Sequence, residues 1–307
     1  MAGIKGGTIK PYSGFNATED AQKLRKAMKG LGTDEDAIID VLVNRSISQR
    51  QEINIAYKTS IGRDLNKDLK SELSGNFEDV IIGLMMSSTM YDVRELKKAM
   101  KGAGTDEGCL IEILASRSAE EMRRINETYK IEYGKSLEDD ICSDTSFMFQ
   151  RVLVSLAAGG RDQGTNVDES LAKKDAQELY QAGEQKWGTD EVKFLTILCT
   201  RNRNHLLRVF EEYQKIAKKK IEDSIKSEMS GSFEDALLAI VECIKSIPEY
   251  FASRLYKSMK GLGTDDSTLI RVMVSRSEID LLLIREHFKK KYGKSLASFI
   301  KGDCSGD

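Results

Sequence analysis

Four short stretches of this chain pair the two things a hard cation needs, backbone that can turn its carbonyls outward and a carboxylate within reach. They are Lys29-Gly30-Leu31-Gly32-Thr33-Asp34, Lys101-Gly102-Ala103-Gly104-Thr105-Asp106, Lys186-Trp187-Gly188-Thr189-Asp190 and Lys260-Gly261-Leu262-Gly263-Thr264-Asp265. Glycines two apart accept positive φ and let successive carbonyls face one side. Forty positions after Gly32, Gly104, Gly188 and Gly263 stand Glu72, Asp144, Glu228 and Asp303. With 49 acids among 307 residues, four carboxylates in four trials is not a chance pattern. Each turn and its distant acid read as two halves of one site. Ca²⁺ takes roughly six to eight oxygens, and three carbonyls with a bidentate carboxylate supply about five of them. The remaining places suit water or the oxygen of an anion such as a lipid phosphate, because one carboxylate leaves positive charge uncompensated. A plainer reading makes the same turns helix caps, each followed by an N-capping threonine. The recurrence of the acid in register favours the site.

The elements that must position these residues repeat every 70 to 85 residues or so, the mark of a repeat array. In the first repeat a helical stripe begins at Thr18 with Leu24, Ala27 and Met28 on one face, and Gly30 stops it. Thr33 is expected to cap the next helix, with Asp34, Glu35 and Asp36 in its first turn. Ser48 to Gln51 reads as a capping box for a third helix reaching Lys58, and Asp64 to Leu73 as a fourth that carries Glu72. Ser74-Gly75-Asn76 reads as a turn before a fifth, apolar helix over Phe77 to Met86. No stretch alternates as a strand would. Landmarks recur in step: Arg45, Arg117, Arg201 and Arg276; Tyr57, Tyr129, Tyr213 and Phe288; Leu65, Leu137, Ile221 and Leu296; Phe77, Phe149 and Phe233. The aromatic and aliphatic sets are expected to be core, and the arginines to bond helix-end carbonyls or a neighbouring helix.

These landmarks divide the chain into a head at 1–14, repeats at 15–86, 87–158, 171–245 and 246–307, and a linker at 159–170. The polar run Gly159 to Asn166 is expected to part the repeats into a first and a second pair. In the head, Thr8 reads as an exposed turn threonine that a kinase could reach. The third repeat departs from the pattern. Gln185-Lys186 replaces Lys-Gly, Lys218 replaces the glycine of Gly62, Gly134 and Gly293, and Trp187 stands where Leu31, Ala103 and Leu262 stand. An indole at that loop tip suits a membrane interface, and Leu31 and Leu262 share the position. The fourth repeat lacks a counterpart of the fifth helix by this count.

The totals narrow the class. A net charge of −2 gives no global field toward nucleic acid or anionic lipid, so membrane affinity requires a supplied cation. No apolar run is as long as the roughly 18 to 20 residues of a membrane span, and no signal-peptide core is seen at the start. The five cysteines lack CxxC spacing and read as free thiols in a reducing compartment. No nucleophile elbow, zinc-protease, nucleotide-phosphate or EF-hand motif is present, and an enzyme is not expected.

The fourfold KGxGTD turn, the acid forty residues on, and the phrases Ser71 to Glu78 and Gly104 to Leu114 resemble the annexins over nearly the whole chain from Phe15. The resemblance implies an all-α fold of four five-helix repeats wound as a right-handed superhelix into a curved disc. It also implies Ca²⁺-dependent, reversible binding to acidic phospholipid through the loops of its convex face. Carried over by position, the calcium ligands are Met28, Gly30, Gly32 and Glu72; Met100, Gly102, Gly104 and Asp144; Gly183, Lys186, Gly188 and Glu228; and Met259, Gly261, Gly263 and Asp303. Secondary sites fall on Thr33 and Glu35, Thr105 and Glu107, Thr189 and Glu191, and Thr264 and Asp266. Asp92, Glu112, Arg117 and Arg271 match the charged residues of a polar channel in the family, against the plainer reading of ion pairs between repeat pairs. A cytoplasmic protein is expected, monomeric in solution, peripheral on membranes when Ca²⁺ rises, with self-association on the membrane open to it. Vesicle aggregation, exocytosis or membrane organisation is the expected role. The rival reading is a helical scaffold for protein partners, which predicts indifference to Ca²⁺.

Overall fold

A computed structural model describes residues 6–30, 32–183, 190–261 and 263–304. Among them lie nineteen helices and no strand. The first repeat folds as α1 (Ala17–Ala27), α2 (Glu35–Leu42), α3 (Ile47–Ile61), α4 (Leu65–Glu72) and α5 (Gly75–Leu84). The second runs from α6 (Ser88–Ala99) to α10 (Phe147–Ala157), and the third from α11 (Glu169–Gly183) to α15 (Gly231–Lys245). The fourth contributes α16 (Ile247–Met259) to α19 (Leu296–Asp303). Each helix buries one stripe. Leu24, Ile38, Leu42, Ile53, Leu65, Leu69 and Ile81 are fully enclosed in the first repeat.

The recurring aromatics are the centre of each repeat. Tyr57, Tyr129, Tyr213 and Phe288 have no exposed surface. A buried phenol needs an acceptor. Tyr57 donates to Asp68 at 2.7 Å, Tyr129 to Asp140 at 2.5 Å and Tyr213 to Ser224 at 2.7 Å, each partner eleven residues on. In the fourth repeat both members change together: Phe288 packs against Phe299 with ring centroids 5.5 Å apart. The fourth repeat thus replaces a buried hydrogen bond by an aromatic contact and strands no polar group.

The recurring arginines reach an acid on the first helix of their own repeat. Arg45 pairs with Asp20 at 2.6 Å, Arg117 with Asp92 at 2.6 Å and Arg201 with Asp175 at 2.7 Å. The fourth repeat has Phe251 at that place. Arg276 stacks on its ring, 4.7 Å from the centroid, and takes Asp280 as its acid at 2.8 Å. Neighbouring-helix bonding is therefore the rule, with a carboxylate rather than a helix-end carbonyl as the main partner.

Several local expectations shift. Asp34, not Thr33, caps α2, its side chain accepting from the Ala37 amide, because the threonine hydroxyl is engaged elsewhere. The capping box of α3 is Ser46 with Gln49, two residues before the expected one, and α3 continues to Ile61, where Gly62 closes it with φ 78°. Gly75 is not a turn residue but the first of α5, with φ 61°. Among the described residues two that are not glycine adopt the same left-handed backbone, Phe147 at 54° and Lys218 at 58°. Such a conformation costs about 1–3 kcal/mol at a side chain with a Cβ.

The described residues divide into two compact units. One joins Met1–Tyr91 with Phe251–Asp307, and the other is Asp92–Tyr250. The first repeat therefore packs with the fourth and the second with the third. The run Gly159 to Asn166, expected to part the repeats into two pairs, lies inside the second unit. In the first unit α5 packs on α17 (Asp266–Arg276), and the buried Arg50 joins Glu278 at 2.7 Å. In the second, α7 (Glu107–Ser116) packs on α15. The head is fastened to the first unit: the exposed Thr8 donates through its amide and hydroxyl to the Ser277 carbonyl, and Tyr12 lies over Arg45 at 3.9 Å.

Candidate metal and membrane sites

Each turn is closed by one backbone bond that the aspartate of Gly-Thr-Asp makes. The Asp34 amide donates to Ala27 at 2.9 Å, Asp106 to Ala99 at 2.9 Å and Asp265 to Ser258 at 2.7 Å. In the third repeat Asp190 reaches Ala182 at 3.0 Å, one residue further back, so that loop is longer by one. Within the three described loops the glycines stand at φ 119° and 91° (Gly30, Gly32), 107° and 102° (Gly102, Gly104), and 144° and 90° (Gly261, Gly263). A Cβ built on any of the six would meet nothing within 4 Å. Conformation, not crowding, demands glycine here, and the loop faces open space in which a ligand fits.

The four distant acids occupy one structural place. Glu72, Asp144, Glu228 and Asp303 are the last residues of α4, α9 (Leu137–Asp144), α14 (Ile221–Glu228) and α19. A carboxylate at a helix C-terminus adds to the negative end of the helix dipole, an arrangement that a cation relieves. These acids fold back on their turns. Thr33 donates its hydroxyl proton to Glu72 at 2.9 Å, Thr105 to Asp144 at 2.6 Å and Thr264 to Asp303 at 2.6 Å. In the third repeat the Glu228 Cγ lies 3.8 Å from where a Cβ on Gly183 would stand. Lys186, Gly188, Thr189 and Trp187 of that repeat lie outside the described residues, as do Leu31 and Leu262.

The donor set fits a hard cation held loosely. Among the described residues no three His, Cys, Asp or Glu side chains converge on one point. On the expected ligand set, each described loop would offer a single carboxylate with the carbonyls of Met28, Gly30 and Gly32, or of their counterparts Met100, Gly102 and Gly104, and Met259, Gly261 and Gly263. That set would give oxygen-only ligation with open positions, suited to Ca²⁺ and unsuited to metals that select nitrogen or sulfur. The secondary residues Glu35, Glu107, Glu191 and Asp266 open the helices that follow each turn. Within the second unit, Thr105, Glu107, Asp144, Glu191 and Glu228 line one cleft of ≈ 600 Å³ together with Phe147.

A sequence model of the annexin family matches residues 19–84, 91–156, 174–240 and 250–307. The chain belongs to the annexin family. Annexins bind Ca²⁺ and, in dependence on it, phospholipid. Annexin A4 of Bos taurus is 75% identical over 303 residues, covering 99% of this chain and 95% of the relative. The structure of annexin III superposes with a TM-score of 0.95 at 52% identity, over 98% of this chain and 93% of the other. That of calcium-bound annexin (Sm)1 gives 0.83 at 35% identity, over 98% and 90%. No described helix of this annexin is long and apolar enough to cross a membrane.

Of the four charged residues matched to a polar channel, Asp92 and Arg117 form the second repeat's internal ion pair, equivalent to Asp20 with Arg45. The pair lies within one repeat rather than between repeats. Glu112 and Arg271 are both buried, at 0% and 1% exposure. Burial pushes the Arg117 guanidinium down, but Asp92 against it carries it above the usual arginine range. One residue of the candidate surface was overlooked in the sequence. Phe147 stands forty-three positions after Gly104, where the other repeats have Gly75, Gly231 and Gly306, and extending the register count by three would have found it.

Proposed function

We propose that this annexin attaches reversibly to acidic phospholipid membranes when Ca²⁺ rises, using the four loops and their distant acids, and serves vesicle aggregation, exocytosis or membrane organisation from the cytoplasm. The observation that supports the reading best is the hydrogen bond from each described threonine to an acid thirty-nine residues away. It brings carboxylate and carbonyl-bearing turn to one place. Bound there, Ca²⁺ supplies a hard cation with open positions for lipid phosphate oxygens. The chain's own part is to hold the glycine carbonyls outward, to keep one acid beside them, and to line the shared cleft, among the described residues, with acids and no basic residue that would attract lipid in the cation's absence. Because lipid completes the ligand shell, lipid and Ca²⁺ raise each other's affinity by the same factor. Loops with one acid each are weak singly, and several engaging the same membrane make the response steep through effective concentration. In solution the protein is a monomer, with self-association reserved for the membrane.

Co-sedimentation with phosphatidylserine-containing vesicles tests this. Capture is expected in Ca²⁺ and not in excess EGTA, and Glu72→Gln with Asp144→Asn is expected to shift capture to much higher Ca²⁺ while helical content stays constant. Equal capture with chelator present would falsify the reading and favour the protein-scaffold alternative.

A further inference from the structure

Phe147 is the most exposed large apolar side chain among the described residues, with 88% of its surface accessible. Its backbone is left-handed, φ 54°, matching Gly75 at 61° and Gly231 at 64° in the first and third repeats. The fourth repeat also has glycine in this register, Gly306. A Cβ placed on Gly75 or Gly231 meets nothing within 4 Å. The position therefore gives a side chain no packing partner and an unfavourable backbone, and folding by itself selects glycine. Phenylalanine there is costly twice over, once in the backbone and once in the water around its ring.

The surroundings say what covers that ring. Phe147 follows Asp144 by three residues and lines the same cleft as Asp144, Glu191 and Glu228. Among the described residues the cleft's lining includes four carboxylates and no Lys, Arg or His. An anionic surface can approach such a lining only with a cation between, at the acids proposed above to hold one. The apolar ring is then carried against whatever lies beneath the headgroups.

We infer that Phe147 inserts into the acyl region of the bilayer as an apolar anchor of the second repeat. The inference rests on the membrane-binding reading above and adds a contact that does not involve the metal. It requires the ring to be dispensable for folding and needed for full affinity, a combination that a core residue cannot show.

Two variants test it on vesicles of mixed phosphatidylcholine and phosphatidylserine. Phe147→Gly is expected to melt at the same or a higher temperature than the parent, since it removes the left-handed strain. Its partition onto vesicles at saturating Ca²⁺ is expected to fall about tenfold, the equivalent of losing roughly one buried aromatic. In a Trp187→Phe background, Phe147→Trp is expected to shift its emission to the blue and to be quenched by lipid brominated on the acyl chain, in Ca²⁺ and not in EGTA. Unchanged partition of Phe147→Gly overturns the inference and leaves the ring to a protein partner. So does an indole at position 147 that keeps its water-exposed emission while the protein sediments. Failure of the parent protein itself to sediment in Ca²⁺ is a different result and removes the membrane reading along with this one.

Discussion

Thr105 donates a 2.6 Å hydrogen bond to Asp144 across 39 residues of chain, and the same threonine hydroxyl also lies 3.3 Å from the Asp144 carbonyl. Thr33 with Glu72 and Thr264 with Asp303 repeat the side-chain bond. In each case the hydroxyl ties the carboxylate at the helix end to the turn.

Thr105→Val keeps the shape and removes the donor. An acid that must be ordered on binding holds its cation less well. The Ca²⁺ needed for half-maximal vesicle capture through this site is expected to rise about three- to tenfold, from a bond worth roughly 0.5–1.5 kcal/mol. Isothermal titration in the presence of vesicles measures it. A lower requirement would mean that the hydroxyl competes with the cation instead of orienting the acid.

The Asp92–Arg117 pair is buried on both sides, with side chains 7% and 4% exposed. Asp92→Asn leaves a guanidinium enclosed without its counter-charge, and the expected loss is about 3–5 kcal/mol. Replacing both partners by apolar residues of similar volume is expected to cost far less, because no charge is then stranded. Urea unfolding of the single and double variants reads the difference. Equal losses in the two would show that packing, not charge, dominates.

Tyr57 sets an alkaline limit. Burial first, and then the neighbouring Asp68 carboxylate that accepts its hydrogen bond, push its pKa from 10.0 up to about 12. The folded state thus keeps a proton that the unfolded chain releases, so the stability from this group is complete below pH 10 and is lost as pH rises toward 12. Tyr57→Phe is expected to flatten the fall of stability over that window by about 1.4 kcal/mol per pH unit at most. Chemical unfolding at a series of alkaline pH values decides it, and an unchanged slope would assign the loss to other groups.

Lys218 closes α13 (Arg203–Ala217) in a left-handed conformation that the other repeats give to Gly62, Gly134 and Gly293. Lys218→Gly is expected to stabilise by about 1 kcal/mol, the strain relieved less the extra freedom of an unfolded glycine. Vesicle capture is expected to stay as it was. A lower melting temperature would show that the lysine side chain contributes more than its backbone costs.

Much of the architecture was legible because it is local. A stripe every three to four residues buried Leu24, Ile38 and Ile53, and the same count placed Tyr57, Tyr129, Tyr213 and Phe288 at repeat centres. The acid register was legible too, since Glu72, Asp144, Glu228 and Asp303 each end the fourth helix of a repeat. The capping assignments slipped where two residues competed for one role. Thr33 and Asp34 are both good N-caps in isolation. Only the return of Glu72 to the turn takes the threonine and leaves the aspartate to cap.

The sequence by itself determined which faces are buried, where the chain turns, and that an acid accompanies every turn, because helical period and glycine conformation act over a few residues. Tertiary structure alone decided that the first repeat packs with the fourth and that Arg276 exchanges an aspartate on its repeat's first helix for Asp280. It likewise decided that Phe147 is left outside. Those outcomes are choices among chemically equivalent partners, settled by which of them the packed helices bring within bonding distance.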